Sequence, residues 1–173
     1  MKKILTALSL ATLFAVSYVA SATPQQDLKE FQGFYQDRFP DTPFDDFVNC
    51  VYSIDAASRA QWEEIEEFAP YELNISKGEV LFNAPFANGK TYASCFENSG
   101  VGIRQNYPYF DTDRGEVITL ELAINECRQA NGEKPLKWKK GHIADISAYM
   151  ASTSTGNVFD IKIPYDPRAL AAY

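Results

Sequence analysis

Leu120, Ala123, Ile124 and Cys127 stand at i, i+3, i+4 and i+7, the spacing of a helix with one buried face. Thr119 precedes them as a cap and Gly132 follows as a stop, so the pattern predicts a helix over 120–130 with Cys127 turned into the core. Ile143, Ile146, Ser147 and Met150 repeat the spacing and predict a helix over 141–152. Ile54, Ala57, Trp62, Ile65 and Phe68 fall near one face and predict another, opened by Ser53-Ile54-Asp55 and closed before Pro70. Ser76-Lys77-Gly78-Glu79 has the form of a capping box, in which a hydroxyl and a carboxylate satisfy each other's backbone amides. It predicts a helix over 77–86 with Val80, Leu81 and Phe82 on the buried side. A short helix is expected over 27–38, and Asp166-Pro167 opens a last one with proline at its first position. Residues 159–163 alternate apolar and polar side chains and read as an extended strip. These elements predict a mostly α fold.

The ends of the chain differ from its middle. Residues 1–22 join a basic start, Lys2 and Lys3, to an apolar run and a small-residue cleavage site, Ala20-Ser21-Ala22, which is the form of a secretory signal peptide. Its removal takes the net charge from −7 to −9 and places the protein in the periplasm. Such an acidic chain is a poor binder of nucleic acid, and no later segment is apolar enough to span a bilayer. Residues 23–46 carry Phe31, Phe34, Tyr35, Phe39 and Phe44, with Phe47 just beyond. That is too aromatic for a disordered tail, so 23–74 is expected to be an arm and first helices packed on the domain. Export also implies an oxidising compartment, where one disulfide is expected among Cys50, Cys95 and Cys127; residue spacing leaves all three pairings open.

Candidate chemistry centres on residues 88–96, Asn-Gly-Lys-Thr-Tyr-Ala-Ser-Cys-Phe. A small-residue loop with cysteine after a helix is where a c-type cytochrome attaches haem, through Cys-x-x-Cys-His. Here Tyr92 takes the first cysteine position and Phe96 the histidine position, so Cys95 stands alone in the motif. The slot reads as a haem site that has lost its cofactor, with the Tyr107-Pro108-Tyr109 loop expected to fill the vacated space. Elsewhere the chemistry is thin. His142 is the single histidine, read as facing solvent, and with Met150 it makes too few ligands for a metal. Glu63, Glu64, Glu66 and Glu67 read as a solvated helix face. Lys134 to Lys140 form a basic connector in an acidic chain, either a solvated loop or a docking point for an acidic partner.

The order of these pieces resembles the first domain of the SoxA family. The matching stretches include 86–96, 105–111, 117–128, Asn131-Gly132-Glu133-Lys134-Pro135-Leu136, 146–151 and 166–173, which cover most of residues 75–173 in order. The resemblance implies a degenerate cytochrome c-like domain over 75–164 without haem, and an interdomain helix beginning at 165–173, with a second domain expected beyond it. It implies a role in periplasmic thiosulfate oxidation, in which thiosulfate is conjugated to a carrier-protein cysteine and electrons leave through haem c on that second domain. No catalytic residue carries over. The implied partners are a SoxX-type cytochrome c subunit and a carrier of the SoxYZ type. A stand-alone haem-less interaction module is the alternative. In haem-bearing relatives the positions of Cys95 and Cys127 address the same haem, one by attachment and one as axial thiolate. The resemblance therefore implies a Cys95–Cys127 disulfide, with Cys50 free.

Overall fold

The computed structural model describes residues 23–159 and 161–173; the expected signal peptide, 1–22, lies outside the described residues. The described chain is mostly helical, in the order α1 (Pro24–Arg38), α2 (Ala56–Glu66), α3 (Glu72–Asn83), a hairpin of β1 (Tyr109–Asp111) and β2 (Glu116–Ile118), α4 (Leu120–Ala130), α5 (His142–Ser152) and α6 (Pro167–Ala172). The hairpin is antiparallel, with Phe110 opposite Val117.

Helix starts follow side-chain oxygens that accept an otherwise unpaired amide of the first turn. Thr23 caps α1 by accepting from the Gln26 amide, Asp55 caps α2 from Ala57, Thr119 caps α4 from Leu122, and Asp166 caps α6 from Arg168. The α4, α5 and α6 bounds agree with the sequence pattern. α3 does not. It begins at Glu72 after Tyr71, so Ser76 lies inside the helix and no capping box forms. Gly78 sits in its middle because α5 crosses there: a Cβ at Gly78 would lie 1.9 Å from the Asp145 carbonyl oxygen. The glycine that resembled a start signal is instead the point of closest helix approach. Val80, expected on the buried side, is 72% exposed, whereas Gly78 and Phe82 are buried.

The core lies where α3, α4 and α5 meet the loops at 84–107. Phe82, Phe86, Tyr92, Ile103, Leu120, Ile124, Cys127, Ile143, Ile146 and Met150 form one buried cluster. At Gly100, φ is +83° and a Cβ would meet the Phe82 ring at 2.6 Å, so that turn requires glycine on both counts. Asp145 is buried against α3 and accepts from Asn74 Nδ2 at 2.6 Å. Every buried side-chain nitrogen or oxygen among the described residues has a partner.

The N-terminal arm differs from the sequence expectation. α1 buries none of its residues, and Phe31 is 64% exposed. Its aromatic rings meet one another, Tyr35 lying 4.9 Å from Phe31 and 6.0 Å from Phe47, more than they meet the core. Helical spacing cannot tell a ring buried against a core from one buried against its neighbour. It meets the other end of the described chain through a hydrogen bond from the Tyr173 hydroxyl to Asp27 at 2.8 Å and across a recess lined by Leu28, Phe31, Ile161 and Ile163. The described residues around the expected extended strip at 159–163 form no strand. No described helix is long and apolar enough to cross a membrane.

Candidate functional site

Residues 84–96 leave α3, turn at Asn88-Gly89 and enter a short 3-10 turn at Tyr92–Ser94. That turn points Tyr92 inward and leaves Cys95 at the surface edge of α4. The Tyr92 ring is 2% exposed, stacked on Phe82 at 5.7 Å and edge-on to Phe86 at 4.8 Å. Its hydroxyl is not left bare. Arg128 Nη1, on α4, donates to it at 2.9 Å, while Arg128 Nε donates to the Lys134 carbonyl at 2.7 Å. Burial holds the Tyr92 hydroxyl above the ordinary tyrosine range, with Arg128 pulling the other way.

Cys95 and Cys127 are joined by a disulfide, with Cα atoms 5.7 Å apart and a separation of 32 positions in sequence. The first cysteine is exposed and the second is buried in the α4 face. Asn131, the C-cap of α4, braces the bond: its Nδ2 donates to the Cys127 carbonyl at 2.8 Å and lies 3.5 Å from the Cys95 sulfur. Asn131 Oδ1 in turn accepts from Asn88 at 2.8 Å, so the loop before Tyr92 and the end of α4 are held together at two points. Cys50 is free and exposed.

The donor set at this slot does not fit haem c. Attachment needs two thiols and an axial histidine. Tyr92 has no thiol, the Cys95 sulfur is committed to Cys127, and Phe96, packed against the core, has no atom that ligates iron. The space is taken differently from the sequence expectation. Tyr92 itself occupies the centre. Tyr107 packs only partly against the core, and Tyr109 turns outward into β1 with its ring 5.5 Å from Tyr107. A one-residue motif substitution thus fills the interior, which the loop's aromatic content had seemed to do. Arg128 was missed by sequence reasoning; an arginine nine residues after the Thr119 cap, one position after a core cysteine, was the available signal.

A cavity of about 130 Å³ remains beside Tyr92, lined by residues including Leu81, Phe86, Arg128, Leu136, His142 and Ile146. His142 is exposed at its edge; among the described residues no three of His, Cys, Asp and Glu gather as a metal site. The four glutamates of α2 and the turn after it stay on the surface.

Known proteins are similar to this chain in sequence. The family described as SoxA/TsdA, cytochrome c domain, matches residues 77–159. A protein of Chlorobaculum tepidum named L-cysteine S-thiosulfotransferase subunit SoxA is 56% identical over 147 residues, covering 85% of this chain and 50% of that protein. Its namesake from Allochromatium vinosum is 53% identical over 156 residues, 90% of this chain and 55% of the relative. The chain therefore spans about half the length of the curated relatives it matches. No solved structure matches it significantly.

Proposed function

The chain belongs to the SoxA family, and from that premise we propose that it is the haem-less, non-catalytic N-terminal domain of a SoxA-type subunit taking part in periplasmic thiosulfate oxidation. Its matches at 53–56% identity to subunits named for L-cysteine S-thiosulfotransferase support the reaction class. The observation that carries the non-catalytic part is the attachment slot, where Tyr92, Cys95 and Phe96 stand in place of two thiols and a histidine. Conjugation joins a carrier thiol to the outer sulfur of thiosulfate, forming one S–S bond and releasing one proton and two electrons. Those electrons need an acceptor. This reading puts the acceptor in the part of the relatives outside the matched span.

The chain's own residues then have a scaffold role. The Cys95–Cys127 bond ties the 84–96 loop to α4, the link that a haem would otherwise make, and Tyr92 with Arg128 fills and closes the interior. In the family this scaffold would sit beside a SoxX-type cytochrome c subunit and serve a SoxYZ-type carrier. The test is turnover with carrier, thiosulfate and an electron acceptor, with and without a SoxX-type subunit. This chain by itself is expected to give no conjugated carrier and to co-elute with the SoxX-type subunit. Turnover by the chain alone would overturn the non-catalytic reading, and failure to co-elute would remove the assembly role.

A further inference from the structure

The segment from Lys134 to His142 is absorbed by none of the above. It holds Lys134, Lys137, Lys139 and Lys140 with no acidic residue among them, in a chain whose net charge is −7. All four lysines are exposed, and none has a carboxylate within 4.0 Å among the described residues. Trp138 lies in the middle of them and is 53% exposed, one of only two tryptophans in the chain. A large ring more than half exposed between these lysines stands outside the buried core cluster.

The segment is also built to hold its shape. Asn125, 3% exposed on α4, spends its amide on the loop backbone: its Oδ1 accepts from the Leu136 amide at 2.7 Å and its Nδ2 donates to the Leu136 carbonyl at 3.2 Å. Arg128 holds the Lys134 carbonyl. The far end is fixed by the start of α5 at His142. The lysines and Trp138 are therefore displayed from anchored backbone. Beside them is the cavity of about 130 Å³, with Leu136 and His142 in its lining, and with Leu81, Phe86 and Ile146 giving it an apolar wall. Its one carboxylate, Glu133, is already engaged by Arg128 at 3.4 Å and by the Ala87 amide at 3.2 Å.

We propose that the Lys134–His142 loop, with Trp138 and the adjoining cavity, is a docking surface for an acidic protein segment that carries an apolar anchor. The lysines supply the complementary charge and steer the encounter. Trp138 supplies the rigid, amphipathic contact that interfaces favour, and the recess is large enough for one aliphatic side chain. A bilayer fits less well. The site is concave with a single exposed aromatic, and the remainder of the chain is acidic and would be repelled by an anionic lipid surface. This inference stands on the loop alone and does not require the thiosulfate reading.

The probe is a fluorescein-labelled peptide of alternating Asp and Glu with one central Leu, titrated with the whole chain and followed by anisotropy. The native chain is expected to bind it, and raising salt from about 50 mM to about 300 mM is expected to weaken binding roughly tenfold as the Debye length shortens. The Lys137→Gln/Lys139→Gln/Lys140→Gln variant and Trp138→Ala alter only exposed side chains, and each is expected to lose about tenfold or more in affinity. The same peptide with Asn and Gln in place of its acids is expected not to bind. Vesicles of phosphatidylcholine and phosphatidylglycerol give the membrane comparison. No binding at low salt, equal binding by the triple-lysine variant, equal binding of the neutral peptide, or capture by vesicles without peptide binding would each overturn the proposal.

Discussion

Tyr92 shows how one side chain sets both packing and pH response. The folded state holds its hydroxyl above the ordinary value of 10.0, chiefly through burial. A group whose folded value is raised contributes stability that is complete below the unfolded value and is lost as pH rises through the folded one. Melting temperature followed from about pH 8 to about pH 12 is therefore expected to fall above the ordinary tyrosine range, with a shallower fall in Tyr92→Phe. Tyr107 and Tyr109 are also raised by burial and keep part of the slope. Identical slopes for the two proteins would contradict this assignment. Gly78 offers a second test. An alanine methyl there would press on the Asp145 carbonyl, so Gly78→Ala is expected to cost about 2 kcal/mol or more in urea unfolding, against a helix-propensity gain of about 1 kcal/mol. Gly33, in α1, has nothing within 4 Å of a Cβ, and Gly33→Ala is expected to be neutral or to stabilise by up to about 1 kcal/mol. The Tyr92–Cys95 spacing is local and readable in the sequence, but neither Gly78's contact nor Arg128's bond is local, so no spacing rule could reveal them.

Among the helices, α4 and α6 were legible through the side-chain caps that open them. Thr119 and Asp166 mark their starts within four residues of the amides they satisfy, and a local signal can be read locally. α3 was displaced because a capping-box pattern at Ser76 competes with a start at Tyr71 that has no side-chain cap at all. The β1–β2 hairpin went unread because three-residue strands are too short to show alternation. The 134–142 connector is where long-range anchoring has the clearest consequence. Asn125→Ala removes both hydrogen bonds to Leu136 and leaves its backbone groups unpaired, at a cost of about 2–4 kcal/mol. Amide exchange at Leu136 is expected to speed up well beyond that of the α5 interior. Unchanged protection at Leu136 would show that the loop is held by something else.

Taken as a unit, the domain is closed by one covalent link between its first loop and α4, with an aromatic plug beneath it. Sequence motifs alone left three cysteine pairings open; the family resemblance pointed to one, and the fold brings those two cysteines within bonding distance. Cys95→Ser removes the link while leaving the buried Cys127 in place, and for a 32-residue loop it is expected to cost about 3–4 kcal/mol, whereas Cys50→Ser is expected to cost little. The arm was the least legible part of the architecture, since its aromatic content announces burial without saying against what. The reading of the chain as a haem-less SoxA-type domain depends above all on what occupies the slot at residues 92–96. Expression with a c-type cytochrome maturation system, followed by an absorption spectrum and intact mass of the purified protein, measures this directly. The expected result is no Soret band and a mass equal to the polypeptide less the hydrogens of one disulfide. A Soret band with haem retained through denaturation would contradict it.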